Sequence, residues 1–473
     1  MGNNQQQAVD IDKVIELCQQ VLKENPDNAT AHHDLGVALF EKQDLEGALE
    51  HLTRAVELAP KSVLSHYVLG IAQAEKMLLD EAVSSWKQVL TLDRRNKHKL
   101  NGMTHYFIGK VYGMKGMWDA SLMELRRARK LLADHPLVLN AMAEIHLAKG
   151  ELEEAKKEWL TAANASSDDP RMAFNVAAIA LDTGDYQMTI DYAKKAIELG
   201  QDGGGVRFNL GIAYLRLGNY DAAIEELKKA VRFEPEDLNN RLNLGEAYVK
   251  KGLIDEGVKQ WEQAAAQHPD AVQPLYNIGL AYADNGLLNK AEQYWQKALA
   301  RDPKYLPIYM AQGAFFAQAA RWEDSLAAWQ KALELEPEAI VARVNVMSLH
   351  LRQGNYESAL ALLDADEHKD QPDLQYIAAL CRLKQGDSEQ AWASLADLHT
   401  AHPEIFSQHA ELTKIVLDPA LLASAGPQYA PVVESLRELL ETGELTQPTP
   451  ESAQASEAQT KGFWASLLRA LRK

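Results

Sequence analysis

The sequence predicts an all-α fold, a solenoid of stacked helix pairs with no single central core. Three observations predict it: a fixed period of 34 residues, small residues at the same positions of each period, and a closing proline. The stretch Gly204–Glu236 shows the pattern best, with a turn at Gly218-Asn219 and a stop at Pro235. Each of its two amphipathic helices is too short to be stable alone, so copies of the unit must stack.

The copies recur in phase along the chain. Leu210-Gly211 is followed by Leu244-Gly245 and then by Ile278-Gly279, and the closing proline recurs at Pro235, Pro269, Pro303 and Pro337. This spacing and these residues resemble the tetratricopeptide repeat (TPR) family. The resemblance implies a right-handed superhelix in which the first helix of each repeat lines the concave wall.

The repeats divide the chain into five predicted parts. Residues 1–28 are a tail and a capping helix, and about eleven repeats fill residues 29–405. Five extra residues interrupt the phase near Asp93–Leu100, in a basic stretch. Capping helices are expected in 406–443, at Phe406–Val416 and Tyr429–Leu440, because such arrays must cover their last apolar face. A linker predicted by composition to be disordered occupies 444–460, and a basic amphipathic helix occupies 461–473.

Several recurring residues are interpreted as packing. A glycine in the first helix, such as Gly211, is expected to let the two helices of a repeat approach closely. Tryptophans recur at one position of the second helix, and we expect them in the core rather than in a ligand-stacking ladder; they are Trp86, Trp159, Trp261, Trp295 and Trp329. Cys18 and Cys381 form no motif and are expected to be buried thiols of a reducing compartment.

Composition excludes several classes of protein. The net charge of −18 and the pI of about 5.3 argue against a nucleic-acid partner. No secretory signal and no run long enough to span a bilayer is present, so a cytoplasmic location is expected. The scattered histidines form no metal motif, and no nucleophile elbow or nucleotide loop is visible. We therefore expect no catalytic residue, metal, cofactor or small-molecule substrate.

Binding of a protein segment is a better prediction than catalysis. The array resembles the superhelix of O-GlcNAc transferase, without a catalytic domain, and that resemblance implies an asparagine ladder for an extended peptide. The sixth position of five repeats holds Asn175, Asn209, Asn243, Asn277 and Asn345. An asparagine amide can pair with a peptide C=O and N–H together. Arg216 and Lys250 would add charge beside the ladder. The alternative is that these asparagines brace neighbouring helices.

The C-terminal segment is the second candidate site. Its apolar face holds Phe463, Trp464, Leu467, Leu468 and Leu471, and its basic face includes Arg469 and Arg472. Such a helix suits an anionic membrane surface, a groove of a partner protein or this chain's own acidic surface. The predicted function is a scaffold, adaptor or assembly factor that binds a protein segment and is recruited to a membrane by its tail. The alternative is a soluble regulatory subunit or chaperone-like protein whose tail docks on a partner.

Overall fold

A computed structural model describes residues 10–364 and 370–442, and every regular element in these ranges is helical. The helices are α1 (Ile11–Glu24), α2 (Ala29–Glu41), α3 (Leu45–Leu58), α4 (Val63–Glu75), α5 (Leu79–Leu92), α6 (Asn101–Met114), α7 (Trp118–Leu132), α8 (Pro136–Ala148), α9 (Leu152–Ala165), α10 (Pro170–Asp182), α11 (Tyr186–Glu198), α12 (Gly204–Arg216), α13 (Tyr220–Phe233), α14 (Leu238–Lys250), α15 (Ile254–Gln267), α16 (Gln273–Asp284), α17 (Leu288–Arg301), α18 (Leu306–Gln318), α19 (Trp322–Leu335), α20 (Ile340–Arg352), α21 (Tyr356–Asp364), α22 (Pro372–Gln385), α23 (Ser388–Ala401), α24 (Glu404–Gln408), α25 (Ala410–Val416), α26 (Pro419–Ala423) and α27 (Ala430–Thr442), with a 3₁₀ turn at Pro427–Tyr429.

The helices from α2 to α23 form consecutive pairs joined by short turns, which confirms the predicted fold class. In the turn between α12 and α13, Gly218 has a φ of 77°, a conformation that glycine adopts without a side-chain clash. Contacts divide the chain into two compact units, one up to Ala247 and one from Tyr248. Each unit is built in the same way, with every pair burying its apolar faces against the next pair along the chain.

A close contact between glycine and a large side chain joins the two helices of a repeat. A Cβ atom added to Gly70 would lie 2.4 Å from Nε1 of Trp86, and one added to Gly211 would lie 2.7 Å from Cγ of Leu227. Trp86 is 1% exposed, and its ring also stacks on Phe107 of the next pair, with centroids 5.2 Å apart. The five recurring tryptophans are all buried, so their predicted role in the core is confirmed.

The C-terminal part of the second unit differs from the predicted pair of capping helices. The segment expected as one helix, Phe406–Val416, is divided into α24 and α25 at His409. Nε2 of His409 lies 2.8 Å from Oδ1 of Asp373, at the start of α22, and the buried Phe406 ring packs edge-on against Tyr376. The break lets both residues reach α22, and α27 completes the cluster with the buried Leu436.

The extra residues between α5 and α6 form an ordered loop. The buried Asp93 carboxylate accepts hydrogen bonds from the backbone N–H groups of Lys97 and His98, at 2.8 and 2.9 Å. We call the hydrogen bonds that the Asp93 carboxylate accepts from this loop the Asp93 cage. They hold the pKa of Asp93 below its usual range, and the bond from the His98 N–H has the largest effect. Asn101 Nδ2 donates to the Asp93 carbonyl at 2.9 Å, which ties the loop to α6.

Neither cysteine is in a disulfide and both are buried, as expected. Among residues 10–364 and 370–442, no helix combines the length and the apolar character needed to cross a bilayer. Nor does this part of the chain hold a cluster of three or more acidic, histidine or cysteine side chains placed to bind a metal ion.

Replacing Gly70 tests the close contact. We expect Gly70→Ala to lower the free energy of unfolding by about 1–3 kcal/mol, because the new Cβ would overlap the Trp86 indole. Gly205→Ala is the matched control, since its Cβ would meet only Phe174 at an ordinary 3.5 Å, and we expect a change under about 1 kcal/mol. Urea unfolding followed by circular dichroism measures both, and equal effects would contradict this packing role.

The Asp93 cage predicts a local dependence on pH. The folded pKa of Asp93 lies below its unfolded value of about 4, so the cage stabilises the loop above that value and is lost as pH falls through the folded pKa. Amide exchange at Lys97 and His98 should therefore stay slow at neutral pH. In Asp93→Asn it should already be fast at neutral pH, and equally slow exchange in the variant would refute the cage.

Candidate functional site

The first helices leave one face uncovered in each repeat. Positions seven and eight, such as Leu210 and Gly211, are buried against the second helix. Positions two and six lie one turn apart on a different face of the same helix. Successive first helices pack against each other, as α10 does against α12 in the first unit and α20 against α22 in the second. Their uncovered faces therefore adjoin, and we call this surface the inner face.

The predicted asparagines all lie on first helices, but their amides differ in what they bind. Asn175 Nδ2 donates to Asn140 Oδ1 at 2.9 Å, and the same oxygen accepts from Trp159 Nε1 at 2.8 Å. Asn243 and Asn345 each donate to a carbonyl one turn earlier on their own helix, at 2.8 and 2.7 Å. These three amides already have intramolecular partners, and Asn345 is also only 6% exposed.

Asn209 and Asn277 differ from these three asparagines because their amides have no intramolecular partner among the described residues. Both side chains are partly buried, and neither makes a side-chain hydrogen bond within the part of the chain that the structure describes. Each lies in a different unit, on α12 and α16. A partly buried amide without a hydrogen-bond partner is suited to a ligand that supplies both a donor and an acceptor.

An apolar ring lies beside Asn209. Gly205, one turn earlier on α12, is exposed and has no side chain, and a Cβ at this position would touch only the Phe174 ring of α10, at 3.5 Å. The edge of Phe174 is therefore open at the point where Leu64 and Leu137 fill the second position of other repeats. We call Phe174, Gly205 and Asn209 the α12 subsite.

Sequence reasoning missed Phe174, Gly205 and Asn140. A signal for the first was present, because aromatic residues recur at the fifth position of five repeats, at Tyr67, Tyr106, Phe174, Phe208 and Tyr276. No comparable signal marks Asn140, since its role depends on two side chains from other helices.

The two predicted cations, like the amides, differ in whether they already have an intramolecular partner. Arg216 Nη1 lies 3.2 Å from Glu246 Oε1, in a pair that links α12 to α14 within the first unit. Both side chains are partly exposed, so the pair contributes little stability and a ligand can rearrange it. Lys250 is exposed and forms no ion pair with any residue that the structure describes. The remaining candidates, from Phe463 to Arg472, lie outside the described residues.

Two asparagine substitutions separate structural amides from available ones. We expect Asn140→Ala to lower the free energy of unfolding by about 1–3 kcal/mol, because it leaves Trp159 Nε1 and Asn175 without their acceptor. Asn209→Ala should change it by less than about 0.5 kcal/mol, since no intramolecular bond is lost. Chemical denaturation of both variants gives the comparison, and a larger loss for Asn209→Ala would reverse this assignment.

Family models of the tetratricopeptide repeat agree with this architecture. Family models described as tetratricopeptide repeat match residues 7–74, 140–204 and 242–305, and one described as TPR repeat matches residues 211–252. Similar solved structures include a MamA crystal structure, with 23% identity, a TM-score of 0.33 and coverage of 34% of this chain and 95% of that one.

Two further structures are similar over comparable lengths. YrrB, described as a TPR protein with an unusual peptide-binding site, has 22% identity and a TM-score of 0.34, over 38% of this chain and 94% of its own. MamA from Desulfovibrio magneticus RS-1 has 19% identity and a TM-score of 0.34, over 36% and 96%. A search among curated proteins gave no match. On its repeat period, its paired helices and the family models that it matches, this chain is a tetratricopeptide repeat protein.

Proposed function

We propose that this protein is a non-catalytic scaffold, adaptor or assembly factor that binds a segment of a partner protein on the inner face of its first helices. The observation that carries the proposal is the Asn209 amide, which has no intramolecular partner within the described residues and lies beside the open edge of Phe174. Solenoids of this kind use their concave surfaces for extended ligands, which supports the same assignment.

The chemistry of the α12 subsite suits an extended peptide. Asn209 can accept from a backbone N–H and donate to a backbone C=O, which requires no particular sequence. An apolar side chain of the same segment would pack on Phe174 in the space that Gly205 leaves free. The Arg216–Glu246 pair at the other end of α12 offers both signs of charge to polar side chains. Backbone pairing would hold the segment, while Phe174 and the charges would select it.

The second unit offers a similar amide at Asn277, which likewise has no side-chain hydrogen bond among the described residues. Asn175, Asn243 and Asn345 remain part of the proposal as weaker contributors, because each keeps free acceptor capacity on its Oδ1 while its Nδ2 is engaged. Lys250 would add an unpaired positive charge in the second unit.

Membrane recruitment by residues 461–473 is a separate part of the proposal, and it rests on the amphipathic pattern alone. The alternative, a soluble regulatory or chaperone-like protein, assigns the same helix to a partner protein. Liposome flotation of the full chain and of a chain ending at Thr460 separates them. Flotation of the full chain alone supports the membrane surface, and equal behaviour of the two chains removes it.

Site-specific photocrosslinking tests the inner face directly. A benzophenone amino acid at Arg171, one turn before Asn175, should crosslink a partner segment in extracts of the native host, because Arg171 is exposed on the inner face of α10. The same group at Glu225, exposed on the second helix α13, is the matched control and should give only background.

A blocking variant makes the test specific. Gly205→Leu should abolish the Arg171 crosslink because the new side chain would cover Phe174. The fold should be retained, since Leu137 occupies the equivalent position of another repeat and is 41% exposed. Unchanged crosslinking in Gly205→Leu, or equal crosslinking from Glu225, would exclude the proposed site.

A further inference from the structure

The loop between α5 and α6 carries an unusual concentration of positive charge. Arg94, Arg95, Lys97 and Lys99 are all exposed, and none forms an ion pair with a residue that the structure describes. Residues 94–130 hold ten lysines and arginines against two acidic residues, in a chain whose net charge is −18. Positive charge is therefore gathered in one part of a protein that is otherwise strongly acidic.

The loop is held in one conformation by buried groups. The Asp93 cage fixes the backbone at Lys97 and His98, and Asn96 Oδ1 accepts from the backbone N–H of Asn101 at 3.1 Å. Asn96 and Lys99 have φ values of 50° and 57°, in the left-handed region where non-glycine residues carry a small strain. The conformation is therefore imposed by specific contacts, and the four cations are presented to solvent from an ordered backbone.

A basic cleft lies near this loop. Gly102, two residues after Leu100, packs directly against Leu132, which brings the start of α6 beside the last turn of α7. A cleft of about 550 Å³ is lined by residues of α7 and α9, with Met142 of α8 among them. Three cations that line the cleft form no ion pair with a described residue: Arg126, Lys130 and Lys157.

Two further arginines of α7, Arg129 in the cleft and Arg127 beside Arg126, are already paired. Arg129 Nη1 lies 3.0 Å from both carboxylate oxygens of Glu158, and the same guanidinium binds Asp134. Arg127 is likewise engaged with Glu124 at 2.6 Å. The loop cations and the three cleft cations, which together we call the basic shoulder, thus remain as positive charge without an intramolecular counterpart in the described chain.

We propose that the basic shoulder binds a segment of a partner protein that is rich in glutamate and aspartate. Carboxylates pair with arginine and lysine in this geometry, and the complementary charge also speeds association. The cleft further offers the apolar Met142 and the carboxylate of Glu154, which suit the side chains and backbone N–H groups of a peptide. This surface is distinct from the inner face and does not depend on the function proposed for it.

The net charge favours a short acidic peptide over a nucleic acid or a membrane. A nucleic acid carries phosphates at every step and would extend beyond the basic shoulder over acidic surface, which repels it. An anionic bilayer would face the same repulsion over a larger area. A short peptide can place its charges on the basic shoulder alone.

Fluorescence anisotropy with the full-length protein tests the proposal. The probe is a short fluorescein-labelled oligoglutamate peptide, and its binding should weaken as salt screens the charges. Arg94→Glu/Arg95→Glu should weaken binding about tenfold, because two contacts become repulsive. Lys61→Glu/Lys304→Glu is the matched control: it makes the same change of charge at exposed lysines of ordinary loops and should leave the affinity within about twofold.

A second double variant and two alternative ligands extend the same measurement. Arg126→Glu/Lys130→Glu should weaken binding as the loop variant does, with circular dichroism unchanged, since both residues are exposed. Equal losses in the Lys61→Glu/Lys304→Glu control would mean that only net charge matters and would overturn the proposal. So would tighter binding of a single-stranded oligonucleotide of equal charge, or of phosphatidylserine vesicles, than of the peptide.

Discussion

The contact between a glycine of the first helix and a large side chain of the second is the constraint on which the packing of at least six repeats depends. At Gly70 and Trp86 the indole occupies the space that any β-carbon would need. The two helices can therefore approach closely, and the tryptophan still reaches Phe107 of the following pair. In this repeat a single side chain thus joins the two helices and also contacts the next repeat, as a solenoid without a central core requires.

This packing decides where function can lie. It uses the faces of both helices that meet within and between repeats, so the positions that remain free lie on the inner face, on the outer clefts and in the loops. On the inner face, an asparagine whose amide has an intramolecular hydrogen bond has a structural role, whereas one without such a bond is available to a ligand. Asn140 Oδ1 accepts from both Asn175 and Trp159, whereas Asn209 has no side-chain partner in the described chain and lies beside an uncovered ring.

The sequence was sufficient to predict features that repeat and insufficient for those that occur once. The period, the buried tryptophans and the helix pairs follow from residues in fixed phase. The sequence groups the amide of Asn175 with that of Asn209 because both occupy the sixth position, but the partner of Asn175, Asn140, lies 35 residues away and at a different position of its repeat. The ordered loop after α5 was visible only as a break in phase, since its shape depends on the burial of Asp93. The division at His409 likewise depends on a contact with the distant Asp373.

Binding on the inner face can be observed directly at the asparagine side chains. Selective isotope labelling of asparagine gives a separate NMR signal for each side-chain amide, assigned by single substitutions. On addition of the segment captured at Arg171, we expect large shifts for Asn209 and little change for Asn140, whose oxygen is already occupied. Shifts confined to Asn140 and Asn175, or none on the inner face, would contradict binding at the α12 subsite.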